Sequence, residues 1–394
     1  MSIASISLAV LLLASVASGG TAQTCLDSSQ RPRLRNSMSQ HISSDSERGP
    51  KSTTIRWRRG DCELRVDAVG DFQVRPDLSA ITAVDENGYL QLEEIDRDHD
   101  RRLRVTNNGR GLEYRFTLDG ANRFDVDRDR WVAEMLLAVE RRTALFAKTR
   151  VPLLLRQGGP DGVLTETNVM EGDYARRIYY TTMLSSAHLT DDQLDRLLSQ
   201  AGSAMSSDFE RAELLRAVAA QGHMSDRVTR AVIALASSMS SDFEKRRALS
   251  AGLESVTTPA ARTELFDAAS TMSSSFELAE LLIAAQKRSL VDSLSSVAFF
   301  KAVDRLTSDF ERHRTLSELV KQHPDSPALL AGILRASTSI SSDFELASLL
   351  VEFAHAVPVR GALRDLYLKA TRSIQSDFEY RRALQALLDQ DQRT

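Results

Sequence analysis

The sequence predicts an α+β protein with more than one domain: an N-terminal antiparallel β meander followed by an α-solenoid of about seven helical-pair repeats of about 34 residues. Three observations support this. Short alternating apolar runs, separated by Asn-Gly and Asp-Gly pairs, occupy residues 53–125. The apolar spacing then becomes helical, and a Ser-Asp-Phe-Glu motif recurs through the rest of the chain. With 394 residues, 42% of them hydrophobic, several packed cores are possible.

Residues 1–22 resemble a secretory signal peptide. An apolar run from Ile3 to Ala14 spans about half a bilayer, and Gly20 and Ala22 stand at the −3 and −1 positions of a cleavage site. No Lys or Arg precedes the run, which leaves a retained anchor as the alternative. We expect an exported protein of the periplasm or exterior that does not insert stably into a membrane after signal removal.

The two cysteines, Cys25 and Cys62, are candidates for a disulfide. Both lie in the N-terminal region of an apparently exported chain, where an even count favours pairing. Lipid attachment to Cys25 is the alternative, but the residues before it lack the Leu and the small residue that this modification prefers.

Residues 23–52 are rich in Ser, Arg, Gln and Asp and poor in large apolar side chains, so they predict a disordered linker. Residues 53–125 predict an antiparallel β-domain. Its hairpin turns are expected at Asn87-Gly88, Asn108-Gly109 and Asp119-Gly120, since these residues accept the positive φ angles that tight turns require.

Residues 126–165 predict connecting helices, interrupted by Gly-Gly-Pro at 158–160. The solenoid is expected over 166–394, where an aromatic residue recurs every 33 to 35 residues. The seven copies are marked by Tyr174, Phe209, Phe243, Phe276, Phe310, Phe344 and Phe378.

The motif predicts a helix start. Ser is the N-cap, Glu completes a capping box, and Asp complements the helix dipole. We expect the aromatic residue to begin the buried stripe, which continues through a Leu six residues later, as in Phe310 and Leu316. A second helix follows in each full repeat, with apolar spacing such as Val228, Val232 and Leu235.

The unit resembles a HEAT-type helical pair, because the signature of the tetratricopeptide repeat is missing. The Ser-Asp-Phe-Glu copies also resemble repeats in the extracytoplasmic regions of antirepressor-type bacterial membrane metallopeptidases, a likeness that covers roughly residues 53–394. The His-Glu-x-x-His motif of the peptidase is absent from this sequence. The resemblance therefore implies a sensory or binding accessory.

No catalytic, cofactor or metal site is predicted. Asp96, Asp98 and Asp100 alternate as in a calcium loop, but Arg101 and Asn107 occupy the positions of its Gly and Glu. A solvated hairpin tip is the favoured interpretation. The net charge of −4 gives no field for nucleic acid.

Basic residues follow the motif in alternate copies, including Arg177, Arg246, Arg314 and Arg381. The true period is therefore close to 68 residues. Two interpretations remain open: these arginines pair with carboxylates of neighbouring repeats, or they form a row that binds an acidic peptide, polysaccharide or phosphate-bearing ligand. We favour inter-repeat pairing, with the stems against Ala279 and Ala347.

The function that these features predict is a non-enzymatic exported binding or scaffold protein whose solenoid surface engages a protein or peptide. The alternative is an accessory or sensor module that acts with a membrane-bound protease or signal transducer.

Overall fold

The structure is a computed structural model that describes residues 25–26, 36–43, 51–122, 128–358 and 360–392. The predicted signal peptide, 1–22, lies outside the described residues. The chain divides into two compact units, Met1–Ala138 and Val139–Thr394. No helix in the described ranges combines the length and the apolar character needed to cross a bilayer.

The first unit contains the predicted antiparallel sheet. Among the described residues, seven strands pair in the order β1-β2-β3-β6-β7-β8-β9, and β4 and β5 form a separate ribbon. The strands are β1 (Asn36–Ser43), β2 (Ser52–Arg59), β3 (Cys62–Val69), β4 (Phe72–Val74), β5 (Ile81–Val84), β6 (Tyr89–Ile95), β7 (Asp100–Asn107), β8 (Leu112–Leu118) and β9 (Ala121–Asn122). Neighbours in the larger sheet are antiparallel, which confirms the meander.

The structure differs from the predicted linker where residues 36–43 form strand β1. Its backbone pairs with β2 from Asn36 opposite Arg59 to Ser43 opposite Ser52. The linker prediction rested on the scarcity of apolar side chains. A strand at the edge of a sheet is held by backbone hydrogen bonds, which polar residues form equally well.

Cys25 and Cys62 form a disulfide, with their Cα atoms 5.4 Å apart. Cys62 is the first residue of β3, and both cysteines are buried. The bridge joins residues 37 positions apart in sequence, and β1 lies inside the loop that it closes. It therefore attaches the segment that precedes β1 to the sheet.

Two of the three predicted turns join paired strands. Gly109 has a φ of 79° between β7 and β8, and Asp119 and Gly120 have φ values of 52° and 78° between β8 and β9. Asn87 also has a positive φ, 63°, but its turn connects β5 to β6, which belong to different sheets. The predicted hairpin at Asn87-Gly88 is wrong, because the same turn residues also suit a passage between sheets.

The core of the first unit lies on one face of the larger sheet. Along β3 the side chains alternate, and the buried ones are Leu64, Val66 and Ala68. Helix α1 (Arg128–Thr143) places the Trp131 ring 5.4 Å from that of Phe116. The Trp131 Nε1 donates to the buried Glu94 carboxylate at 2.7 Å, and Arg101 donates at 3.0 Å. These bonds offset the cost of burying that charge.

The second unit is a two-layer helical array. The A helices, which begin at the motif, are α3 (Asp173–Ser186), α5 (Asp208–Ala219), α7 (Asp242–Ala251), α9 (Ser275–Lys287), α11 (Asp309–Gln322), α13 (Asp343–Phe353) and α15 (Asp377–Asp391). The B helices are α4 (Asp191–Ala204), α6 (Asp226–Ser237), α8 (Pro259–Ala269), α10 (Ser296–Val303), α12 (Pro327–Ser337) and α14 (Ala362–Thr371). Successive A helices pack together, as do successive B helices, which confirms the solenoid of helical pairs.

Helix α2 (Ala147–Asn168) precedes the first A helix and packs against it. Its backbone leaves the helical conformation at Gly159, where φ is 61°. Pro160 follows directly, so the interruption falls at the predicted Gly-Gly-Pro.

An aspartate at the start of one A helix holds the start of the next. In the fifth copy the Asp309 carboxylate accepts the backbone N–H groups of Ser341 and Ser342 at 3.0 and 2.7 Å. Ser342 is the N-cap of the next A helix. In the fourth copy, Ser275 replaces aspartate, and its hydroxyl accepts the equivalent amides at 2.9 and 3.3 Å. These cap-bridging residues are Asp173, Asp208, Asp242, Ser275, Asp309 and Asp343.

The predicted capping box of the motif is only half present. The Ser342 hydroxyl accepts the Glu345 N–H at 3.4 Å, as a cap should. In a complete box the Glu345 side chain would accept the Ser342 N–H. Here that N–H donates to Asp309 of the preceding repeat instead. A complete box occurs instead at the start of α4, between Thr190 and Gln193.

The cap-bridging role of Asp309 can be tested against Asp377, which has the same place in the seventh copy but is exposed and bridges no further helix start within the described residues. Asp309→Ala removes the acceptor of two amides and should lower the free energy of unfolding by about 2–3 kcal/mol. Asp377→Ala should cost at most about 1 kcal/mol, the value of a helix-dipole contact. Urea denaturation of the full chain measures both; equal losses would contradict the bridging role.

Candidate functional site: an aromatic and charged edge of the solenoid

The motif aromatics are exposed, which corrects the prediction that they begin the buried stripe. Phe209, Phe243, Phe276, Phe310 and Phe344 are 49 to 58% exposed. Tyr174, at 37%, and Phe378, at 73%, occupy the first and last copies. Each of these seven residues is the second residue of its A helix, and we call the set the aromatic ladder. Because the A helices pack side by side, the rings occupy equivalent positions in successive repeats.

Helical geometry explains why the rings point outward. In α9 the buried side chains lie two, three, five, six, nine and ten residues after Phe276, ending with Ala285 and Gln286. At about 100° per residue, this stripe is centred about 200° around the helix from the ring. The Leu six residues after the aromatic is buried in the second to sixth copies, as predicted, but it lies on the other side of the helix.

Arginine side chains lie over several rings of the ladder. The Arg247 guanidinium lies 6.0 Å from the centre of the Phe209 ring and 5.5 Å from that of Phe243. Arg246 lies 5.5 Å from the Phe243 ring as well. In the last copy, Arg382 lies 5.3 Å from the ring of Phe344. These cation–π contacts orient the rings but leave about half of each one exposed.

Two of the predicted arginines reach the motif glutamate of the next copy. Arg177 pairs with Glu210, and Arg246 pairs with Glu277. In the fifth copy, His313 takes the equivalent place and its Nδ1 lies 2.6 Å from the Glu345 carboxylate. These contacts favour inter-repeat pairing over a row of free cations. Ala279 and Ala347, against which we expected the stems to lie, are fully buried.

Arg314 belongs to a second group, which reaches back to the preceding copy. It pairs with Glu280, and its Nε lies 3.3 Å from Glu311 of its own copy. Arg247 makes the equivalent bonds to Glu213 at 2.6 Å and Glu244 at 2.7 Å. Acidic or small residues occupy the equivalent places in the adjacent copies, which agrees with the 68-residue period.

Arg381, the fourth predicted arginine, is exposed. Its neighbour Arg382 does pair, with Glu379 at 2.6 Å and with the Ser348 hydroxyl at 2.5 Å.

A third group of basic residues caps the ends of neighbouring helices. Arg211 donates to the Gly202 carbonyl at 3.0 Å and also to that of Met205, at the end of α4. Arg312 binds the carbonyls of Leu306 and Ser339 in the same way. Cationic side chains at helix C-termini complement the helix dipole, so these residues are occupied within the fold.

The remaining predicted and possible sites lie in the first unit. Asp96 accepts the backbone N–H groups of Asp98 and His99, both at 2.8 Å, so it stabilises the turn between β6 and β7. One group within the described residues has metal-ligand spacing, namely Cys25, Glu94 and Asp96. Cys25 is bonded to Cys62, so it offers no thiolate to a metal.

Two open grooves occur among the described residues. One, of about 560 Å³, lies on β7 and β8 and is lined by Arg104, Tyr114 and Phe116 among others. The other, of about 570 Å³, lies between α4 and α6, with Leu198, Ala231 and Leu235 in its lining. Neither groove includes a residue of the aromatic ladder.

A buried carboxyl with a shifted pKa lies at the start of the second unit. Burial raises the pKa of Glu140 to about 7, against hydrogen bonds from Tyr179 and the Phe146 amide, which lower it. The Tyr179 hydroxyl donates at 2.5 Å and the Phe146 N–H at 2.6 Å. The side chain has no solvent exposure, so its role is to join α1 to α3 within the core.

No protein-family model matches this sequence, and no curated protein shows significant similarity to it. The HEAT-type unit and the resemblance to antirepressor-type repeats therefore stay predictions. The aromatic ladder has to be interpreted from its own geometry.

The exposure of the ladder gives a direct test. Phe310→Ala should change the free energy of unfolding by less than about 1 kcal/mol, since an exposed ring contributes little to packing. Leu316→Ala, at a fully buried position of the same helix, should cost about 2–5 kcal/mol. Denaturant melts of both variants measure the difference. A loss at Phe310 as large as that at Leu316 would show that the ring is part of the core.

Glu140 makes stability depend on pH. Because its folded-state pKa lies above the ordinary 4.5, the fold favours the neutral acid; this stability is full below about pH 4.5 and is lost as pH rises through about 7. Between pH 5 and 8 the native chain should lose about 2.5 kcal/mol more than Glu140→Gln, whose side chain stays neutral. Denaturation at several pH values measures this. Parallel pH profiles would contradict the shifted pKa.

Proposed function

We propose that this protein is a non-enzymatic exported binding or scaffold protein that engages a protein or peptide through the aromatic ladder. Solenoids present extended surfaces in which each repeat adds one copy of the same contact. Here the repeated contact is an aromatic ring flanked by charged side chains.

The observation that supports the proposal is the exposure of six Phe side chains at equivalent positions. Apolar groups that recur in line on a surface mark interaction sites, whereas scattered ones need no explanation. Aromatic and Arg side chains are the residue types enriched at protein interfaces. The arginines that the sequence offered as a ligand-binding row are largely paired within the array, so the rings are the better candidates for the contact.

Export to the periplasm or exterior of a bacterium is part of the proposal. It rests on the signal-like residues 1–22 and is supported by the Cys25–Cys62 disulfide. Disulfides persist in oxidising compartments and are rare in the cytosol.

A photoreactive phenylalanine analogue at Phe310 tests the function in cells. The ring is exposed, so the substitution should leave the fold intact. Illumination should give a covalent adduct with another protein. The same analogue at Val297, which is 80% exposed on helix α10 away from the ladder, provides the control and should give little adduct.

The outcome also separates the two hypotheses that the sequence left open. Adducts with water-soluble proteins favour the scaffold, whereas adducts with a membrane-embedded protease or transducer favour the sensor module. No protein adduct at Phe310, or equal adducts at Phe310 and Val297, would contradict binding through the ladder.

A further inference from the structure

We propose that the aromatic ladder binds a basic, proline-rich peptide in the polyproline II conformation, an inference that rests on the proposed function and specifies its partner. Three properties of the ladder lead to this class of ligand: the spacing of its rings, the hydroxyl groups between them and the charge around them.

The spacing selects the conformation of the ligand. Packed helices lie about 8–10 Å apart, so the rings, one on each A helix, recur at about that interval. A polyproline II helix has three residues per turn and rises about 3.1 Å per residue, so side chains on the same face recur about every 9.3 Å. A β-strand repeats its side about every 6.7 Å and an α-helix has a pitch of about 5.4 Å. Only polyproline II places one turn on each ring.

The side chains of the aromatic ladder and its neighbours suit a polyproline II ligand. A Phe ring offers an apolar face and no hydrogen-bonding group, and aromatic-lined surfaces are the usual receptors for proline-rich segments. An exposed hydroxyl residue stands three positions before each Phe from the second to the sixth copy, namely Ser206, Ser240, Ser273, Thr307 and Ser341. Ser206 and Ser273 donate to the cap-bridging aspartates Asp173 and Asp242, and the Thr307 hydroxyl lies 3.0 Å from that of Ser275. Polyproline II makes no internal hydrogen bonds, so its carbonyl groups can accept from the exposed hydroxyls of Ser240 and Ser341.

The charge of the edge selects a basic peptide. From the residue before each aromatic to the fourth residue after it, the seven copies hold fourteen acidic and ten basic residues. Several of the basic ones are directed inward, such as Arg211 and Arg312 on helix-terminal carbonyls and Lys245 on the Thr271 hydroxyl at 2.8 Å. Most of the carboxylates are bonded to backbone amides or to arginines as well. The remaining surplus of four negative charges favours a ligand with Lys or Arg over phosphate, acidic polysaccharide and anionic lipid. A ligand for a row of free arginines would be acidic, whereas the ligand proposed here is basic.

A synthetic peptide of six Pro-Pro-Arg units tests the inference. Its eighteen residues span about 56 Å as polyproline II, close to the six helix spacings of the ladder at about 8–10 Å each. The fluorescently labelled peptide is titrated with the full chain and followed by anisotropy. Six Gly-Gly-Arg units form the matched control peptide, with the same charge but no preferred conformation.

We expect the Pro-Pro-Arg peptide to bind about tenfold or more tightly than the Gly-Gly-Arg peptide. The variant Phe243→Ala/Phe276→Ala/Phe310→Ala should weaken its binding about tenfold or more. The variant Leu294→Ala/Val297→Ala, which removes exposed apolar side chains outside the ladder, should bind as the native chain does. Thermal melts of both variants confirm that they are folded.

Equal binding of the two peptides, or undiminished binding by the triple Phe variant, would overturn the inference. A neutral cello- or chito-oligosaccharide bound in a ladder-dependent way, with no binding of Pro-Pro-Arg, would overturn it in favour of a glycan. Protein adducts at photoreactive position 310 without Pro-Pro-Arg binding would leave the proposed function standing and reject only the proline-rich partner.

Discussion

The array depends on one interaction: the carboxylate of a cap-bridging aspartate accepts two backbone N–H groups at the start of the next A helix. A helix start leaves several amides without partners, and here one of them is satisfied by the preceding repeat. The bond therefore ties the N-terminus of one helix to that of its neighbour, as Asp309 does with Ser342. Because the acceptor is charged and the donors belong to the backbone, the contact tolerates changes in the surrounding side chains. Ser275 fills the place with a hydroxyl.

The other polar contacts follow from the alignment of the A-helix starts. Once the helix starts are aligned, the motif glutamate of one copy faces the basic residues of its neighbours, as in the pair of Arg246 with Glu277. Buried Ala279 and Ala347 mark the copies that lack a basic residue at the same place. Ion pairing thus uses most of the charge along the edge, and the rings remain as its outward-facing apolar groups. Exposing half of a Phe ring to water costs free energy, and the fold itself does not require this exposure.

Much of the fold could be predicted from the sequence, because repetition and turn chemistry are local signals. The positions of the motif set the starts of the A helices, and two of the glycine turns set hairpins. The candidate site was harder to predict from the sequence. Six residues turn a helix by about 240°, so Phe310 and Leu316 cannot share one stripe; this signal is present in the sequence. The bond from Ser342 to Asp309 could not be predicted, because a contact between residues 33 positions apart has no local signature in the sequence. Strand β1 has no sequence signal either, because its backbone pairing with β2 needs no apolar pattern.

The alternation at the fourth residue after each aromatic has a consequence for how such an array can change length. Glu213, Arg247, Glu280 and Arg314 follow one another from the second copy to the fifth, and each arginine reaches back to the glutamate before it. Deleting the fourth copy alone would bring Arg247 beside Arg314, and deleting the third would bring Glu213 beside Glu280. Removing two adjacent copies preserves every pairing of opposite charge. A gain or loss of copies in blocks of two therefore keeps the charge pairing intact, so the unit of change that the array tolerates best is about 68 residues, although the structural repeat is half as long.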